Sequence, residues 1–184
     1  GAFTVAYGET DLDSACLFVG LSGLLEPDDP RFIATVDAIE RELRVGPTVF
    51  RYRYEDGLPG LEGGFHICTT WLIEAFILVG RLDDARDLFR RLDDLMGPTG
   101  LFPEEYDPAS ETHLGNHPQA YSHLGYIRVA RMLDDLAGVP DPASGHTDGP
   151  EDPDDTGAAG SAGSADTSGA SSTSVSSGAT RTAD

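Results

Sequence analysis

Lysine is absent from the 184 residues: all 12 basic side chains are arginine, against 32 Asp plus Glu, for a formal net charge of −20. A surface so poor in positive charge repels phosphate, which excludes the electrostatic footing of nucleic-acid binding and of docking on anionic lipid. Cysteine is almost missing as well. Cys16 and Cys68 both lie in apolar, helix-like runs where a free thiol behaves as a small hydrophobe, so no disulfide framework is expected. No apolar run is long enough to cross a bilayer and no basic-then-apolar leader opens the chain, so cytoplasmic residence is the expectation. There is no glycine-rich phosphate loop, and His66, His113, His117 and His123 have no metal-ligand spacing, so neither a cofactor nor a metal is expected.

Aromatic and branched aliphatic residues also run out along the chain. From about Val139 onward the sequence is almost entirely Gly, Ser, Ala, Thr, Pro and Asp, which cannot bury enough apolar surface to offset chain entropy. Residues 1–138 are therefore expected to fold and residues 139–184 to form a disordered acidic tail. Acidic excess without lysine resembles proteins from cells with molar internal salt, where screening relieves self-repulsion, so a halophilic character and salt-dependent stability are expected.

What is present is a repeated pairing of helices. Residues 12–25 (LDSACLFVGLSGLL) read as a buried helix, and residues 30–44 carry Phe32, Ile33, Val36, Ile39 and Leu43 on one stripe, with Asp28 or Asp29 as cap and Pro30 in the first turn. Residues 65–79 (FHICTTWLIEAFILV) are apolar almost all round; residues 82–96 are amphipathic, and the short Gly80-Arg81 link makes the two an antiparallel hairpin. A further helix is expected over 118–136, with Tyr121, Leu124, Ile127, Val129, Ala130 and Leu133 at its apolar positions. Buried helices alternating with half-buried ones predict an all-α fold in two layers, met by a toroid, a bundle or a solenoid. Between the helices, residues 48–54 (TVFRYRY) alternate like a strand, residues 56–64 are turn-rich, and residues 97–116 form a long loop without periodicity.

Chemistry concentrates in that loop, where Glu104, Glu105, Asp107 and Glu111 stand close to Tyr106 and His113. Prolines on either side of EEYD argue for a fixed conformation, whereas a solvated acidic loop is the plainer reading. Trp71, inside the buried helix, reads as core.

The blocks GLFPEEYD (100–107) and LGNHPQAYSH (114–123) resemble the second catalytic block of family-15 glycoside hydrolases. Upstream, RYRYEDG (51–57), Glu62-Gly63 and FHICTTW (65–71) resemble that family's arginine-bearing sugar-contact loop and the buried helix after it, and YGETDLDSACL resembles the opening of an earlier inner helix. The resemblance implies part of an (α/α)6 barrel, about five of its twelve helices, and inverting hydrolysis of a terminal α-glucosidic bond. It implies Glu104 as general base, Glu105 as a neighbouring polar residue or alternative base, Arg51 or Arg53 as the sugar-binding arginine with Arg51 favoured, and a structural role for His123. His117 departs from the family, whose members usually carry an aromatic there.

The implied general acid lies on an earlier barrel loop outside this chain. The resemblance further implies an α-glucan or trehalose as substrate, with starch-type glucans ahead of trehalose, and the missing N-terminal barrel half as a partner. A non-catalytic relic and a helical interaction or binding module are the competing expectations.

Overall fold

The computed structural model describes residues 1–54, 57 and 62–137. They belong to the compact unit Gly1–Ser144. The expected tail over 139–184 and most of the turn-rich 56–64 segment lie outside the described residues.

A 3-10 turn, Ser14–Leu17, is capped by the Asp13 side chain and leads into α1, Phe18–Leu21. The long buried helix expected over 12–25 is therefore replaced by two short turns. Gly20 lies so close to the Phe32 ring that a Cβ would fall 2.3 Å from it, and Gly23, at φ +76°, turns the chain out of the helix. The Ser22 hydroxyl takes the Phe18 carbonyl at 2.6 Å. Phe18 and Leu24 are exposed rather than buried.

Helix α2, Pro30–Leu43, starts where the sequence indicates: Asp29 Oδ1 accepts the Arg31 N–H at 2.8 Å, with Pro30 in the first turn. Its Phe32, Val36, Ile39 and Leu43 are buried against α3, His66–Leu78. That helix is the centre of the fold and touches α1, α2, α4 and α5. Each fully buried Leu72, Ile73 or Phe76 contributes about 1.5–3 kcal/mol of hydrophobic stabilisation. Gly80, at φ +80°, and the Arg81 N–H, donated to the Phe76 carbonyl at 2.8 Å, reverse the chain into α4, Leu82–Asp93. This helix buries Ala85, Leu88 and Leu92, opens on Asp83 and Asp84 and closes on Arg90 and Arg91, the order its dipole favours.

The all-α expectation needs one correction, because a five-stranded antiparallel meander runs through the irregular segments. Its strands are β1 Arg44–Val45, β2 Thr48–Val49, β3 Gly64–Phe65, β4 Glu105–Asp107 and β5 Thr112–Leu114, with Arg44, Val49, Phe65, Glu105 and Leu114 in register across it. The strand expected over 48–54 is confined to two residues, and the 97–116 loop contains the β4–β5 hairpin. Close approach at β3 requires glycine: a Cβ on Gly63 would meet the Tyr106 carbonyl at 2.5 Å, and one on Gly64 the Thr48 hydroxyl at 2.3 Å. Thr69 fastens sheet to helix, its hydroxyl accepting from the Val49 N–H and donating to the Phe65 carbonyl, each at 3.0 Å.

Helix α5, Ala120–Ala137, packs on α3 through Ser122, Gly125, Val129 and Leu133. Leu124 and Ile127, expected on its apolar stripe, are 67% and 54% exposed. Among the described residues no helix is long and apolar enough to cross a membrane.

Candidate active site

Glu104 sits immediately before β4, and its backbone is pinned on both sides. Its N–H donates to the Asn116 carbonyl at 2.9 Å and its carbonyl accepts the His66 N–H, the first of α3, at 3.1 Å. The residues before it are laced to the start of α5: the Ser122 hydroxyl donates to the Pro103 carbonyl at 2.9 Å and the Gln119 N–H to the Phe102 carbonyl at 2.9 Å. His123 Nε2 accepts the Phe102 N–H at 3.2 Å, so its Nδ1 carries the proton and donates to the Gln119 carbonyl at 2.8 Å. The His123 ring thus bridges the segment before Glu104 and the start of α5.

The Glu104 side chain is held as firmly. Tyr121 Oη donates to Oε1, while the Asn116 N–H at 3.1 Å and Asn116 Nδ2 at 2.9 Å both donate to Oε2. Hydrogen bonds to a carboxylate favour its charged form, and those from Tyr121 first and Asn116 next hold Glu104 below the usual glutamate range. Neither Arg51 nor Arg53 is among its partners, so the arginine support expected for the ionised carboxylate is replaced by neutral donors.

Glu105 has the opposite environment. Half-buried, it accepts the Gly63 N–H at 2.8 Å, and burial first, with Glu62 and Glu104 adding repulsion, pushes its carboxyl up. Two adjacent carboxyls are driven apart, one toward ionisation and one toward protonation. Asp107 is occupied elsewhere, accepting from the N–H groups of Ala109 and Ser110 and from the Ser110 hydroxyl to close the β4–β5 turn.

Arg51 and Arg53 follow β2 and are both exposed. Arg51 Nε lies 3.6 Å from Asp13 Oδ2, with its guanidinium 5.4 Å from the Tyr52 ring centroid; Arg53 lies 5.1 Å from that of Phe50. The rings of Tyr52 and Tyr54 stack at 4.5 Å. Trp71 is half-buried rather than core; it meets Phe18 edge-on at 4.9 Å and faces a groove of about 340 Å³ with Leu21, Leu124, Glu74 and Arg128.

The sequence reading missed Asn116 and Gly115, and it took Tyr121 only as an apolar helix position. Their signal was the LGNHPQAYSH block itself, which places a glycine, an amide and a phenol within reach of one carboxylate.

The family model described as glycosyl hydrolases family 15 matches residues 1–131. The chain belongs to this family. Among the relatives of this family-15 chain, a trehalase from Mycobacterium tuberculosis (strain ATCC 25618 / H37Rv) is 45% identical over 153 residues, 78% of this chain and 22% of the relative. A trehalase from Thermoplasma volcanium is 42% identical over 135 residues, 73% of this chain and 22% of its own length. Among solved structures, a wild-type glycosidase superposes with a TM-score of 0.60 at 24% identity, over 72% of this chain and 38% of that one. A glycosidase in complex with glucose gives 0.61 at 22% identity over the same shares. The likeness to the solved structures carries the fold. This family-15 chain spans only about a fifth of the length of the trehalases it matches, 22%.

Proposed function

We propose that this chain is the C-terminal portion of an inverting α-glucosidase catalytic domain, supplies the general base Glu104, and acts on trehalose. The observation that carries the reading is the Glu104 carboxylate, held ionised by Tyr121 and Asn116. A general base must be charged and fixed before its water arrives. Glu105, pushed toward its protonated form and bonded to Gly63, is the poorer base.

In the proposed reaction Glu104 takes a proton from water, and the resulting hydroxide oxygen bonds to the anomeric carbon from the face opposite the leaving group. The glycosidic C–O bond breaks, and the leaving oxygen is protonated by a second carboxylic acid. The two carboxyls stand about 6.5–9.5 Å apart to admit the water. That acid comes from the part of the barrel outside this chain. Arg51, or Arg53, offers planar donors to sugar hydroxyls.

Trehalose takes precedence over starch-type glucans, reversing the order that the sequence alone suggested, because the similar relatives are trehalases. The remaining helices of the (α/α)6 ring complete the site. What supports this is the apolar groove of Phe18, Leu21, Trp71 and Leu124, floored by the buried Glu74, which Arg128 Nε meets at 2.8 Å. The acidic, lysine-free composition supports activity and stability in high salt.

The competing reading is a non-catalytic family-15 remnant. The test is glucose release from trehalose, maltose and soluble starch in molar potassium chloride, with and without a polypeptide supplying the rest of the barrel from a trehalase relative. Release from trehalose only with the added polypeptide is the expected result. No release from folded, associated polypeptides would leave the remnant reading.

A further inference from the structure

An ionised carboxylate has about four lone-pair positions, two on each oxygen. At Glu104 three of them are filled among the described residues. Both positions on Oε2 are taken by Asn116, through its backbone N–H at 3.1 Å and its Nδ2 at 2.9 Å, and one position on Oε1 is taken by the Tyr121 hydroxyl. The carboxylate also has no room to turn toward the β5 side. Gly115 lies so close that a Cβ there would meet Glu104 Cβ and Oε2, each at 2.7 Å. The backbone bonds from His66 and to Asn116 fix the stem of the same side chain.

We propose that Tyr121 and Asn116 are positioning residues that leave one acceptor position on Glu104, on Oε1, and so define the oxygen that binds the attacking water and receives its proton. The inference rests on the reading of Glu104 as general base and adds which oxygen acts and what aims it. Asn116 saturates Oε2 and withdraws it from the chemistry. Tyr121 sets the direction of the remaining Oε1 lone pair, because a bound hydroxyl occupies the other. Its own proton stays in place: burial, then the bond to Glu104, pushes the phenol up to about 12, so it donates throughout the range in which a carboxylate serves as base. The Gln119 amide lies beside the same edge as the weakest of the influences lowering Glu104, and the direct bonds to the carboxylate remain those of Asn116 and Tyr121.

The test reads Glu104 directly. In the full chain labelled with carboxyl 13C-glutamate, the Glu104 resonance is assigned by its loss in Glu104→Gln and titrated in wild type, Tyr121→Phe and Asn116→Ala, each checked for folding by circular dichroism. Loss of a hydrogen bond to a charged group raises the midpoint by about one pH unit in Tyr121→Phe. Asn116→Ala, which retains the backbone N–H, gives a smaller rise. In the complemented glucose-release assay, the acid limb of kcat/KM moves upward with Tyr121→Phe by the same amount.

A folded Tyr121→Phe chain with an unmoved Glu104 midpoint overturns the proposal. Asn116→Ala decides in the same way if Tyr121→Phe does not fold. A midpoint that moves while Glu104→Gln hydrolyses trehalose as wild type does retains the clamp and overturns the base assignment, so the two failures are distinguishable.

Discussion

Replacing Gly115 by alanine puts the geometry around Glu104 under the greatest load. Two costs arise there. The backbone is at φ +73°, a left-handed conformation that costs an L-residue about 1 kcal/mol. The new Cβ also falls 2.7 Å from Glu104 Cβ and Oε2, and because Cβ is the root of the side chain the clash is not relieved by a rotamer change. Overpacking of that kind costs about 1–3 kcal/mol, so the sum is about 2–4 kcal/mol. Gly97, at φ +62° with no atom within 4 Å of the added Cβ, provides the matched control at about 1 kcal/mol. Urea melts of both variants, followed by circular dichroism at one salt concentration, give the difference. Gly115→Ala must also raise the Glu104 titration midpoint, because the carboxylate can yield only by moving away from the Asn116 donors. Equal destabilisation of the two variants would refute the tight seating of Glu104 on the β5 side.

His66 is buried, neither ring nitrogen has a partner among the described residues, and burial first, then His113 and His123, pushes its imidazole down from 6.5 to about 4. With the folded value below the unfolded one, stability is intact above about pH 7 and falls as the pH drops toward 4, by an order of about 3 kcal/mol. His66→Phe flattens that acid limb in urea melts across the range; an unchanged limb contradicts the cause. Arg81 bridges Asp37 at 3.2 Å, Glu40 at 2.7 Å and Asp84 at 2.7 Å, with its guanidinium 4.3 Å from the Phe76 ring centroid. Arg81→Ala costs about 1–2 kcal/mol in dilute buffer and less in molar potassium chloride, measured by melts at both salts; a loss independent of salt would show that packing, not charge, dominates.

The elements legible in the sequence are those whose signal is local. Helix α3 declares itself by apolar residues on every side, α4 by the spacing of Ala85, Leu88 and Leu92, and α2 by its Asp29-Pro30 start. The 12–25 run misleads because its apolar residues do not imply burial within this chain; Phe18 and Leu24 are exposed, and Gly20 is fixed by Phe32, a residue of another helix. Strands of two or three residues are too short for alternation to register, and the two local hairpins join into one sheet only where β3 pairs with β4 across the whole α3–α4 segment. At the candidate site the carboxylates were legible as a block. Their difference was not, because it depends on α5 bringing Tyr121 to Glu104 and on β3 bringing the Gly63 N–H to Glu105.

The most direct measurement compares Glu104→Gln with Glu105→Gln in the complemented glucose-release assay on trehalose. General-base catalysis contributes about 10²–10⁴-fold, so Glu104→Gln must lower kcat by at least about 100-fold, whereas Glu105→Gln stays within about tenfold of wild type. Full activity of the Glu104→Gln chain, or its loss in Glu105→Gln alone, would contradict the account.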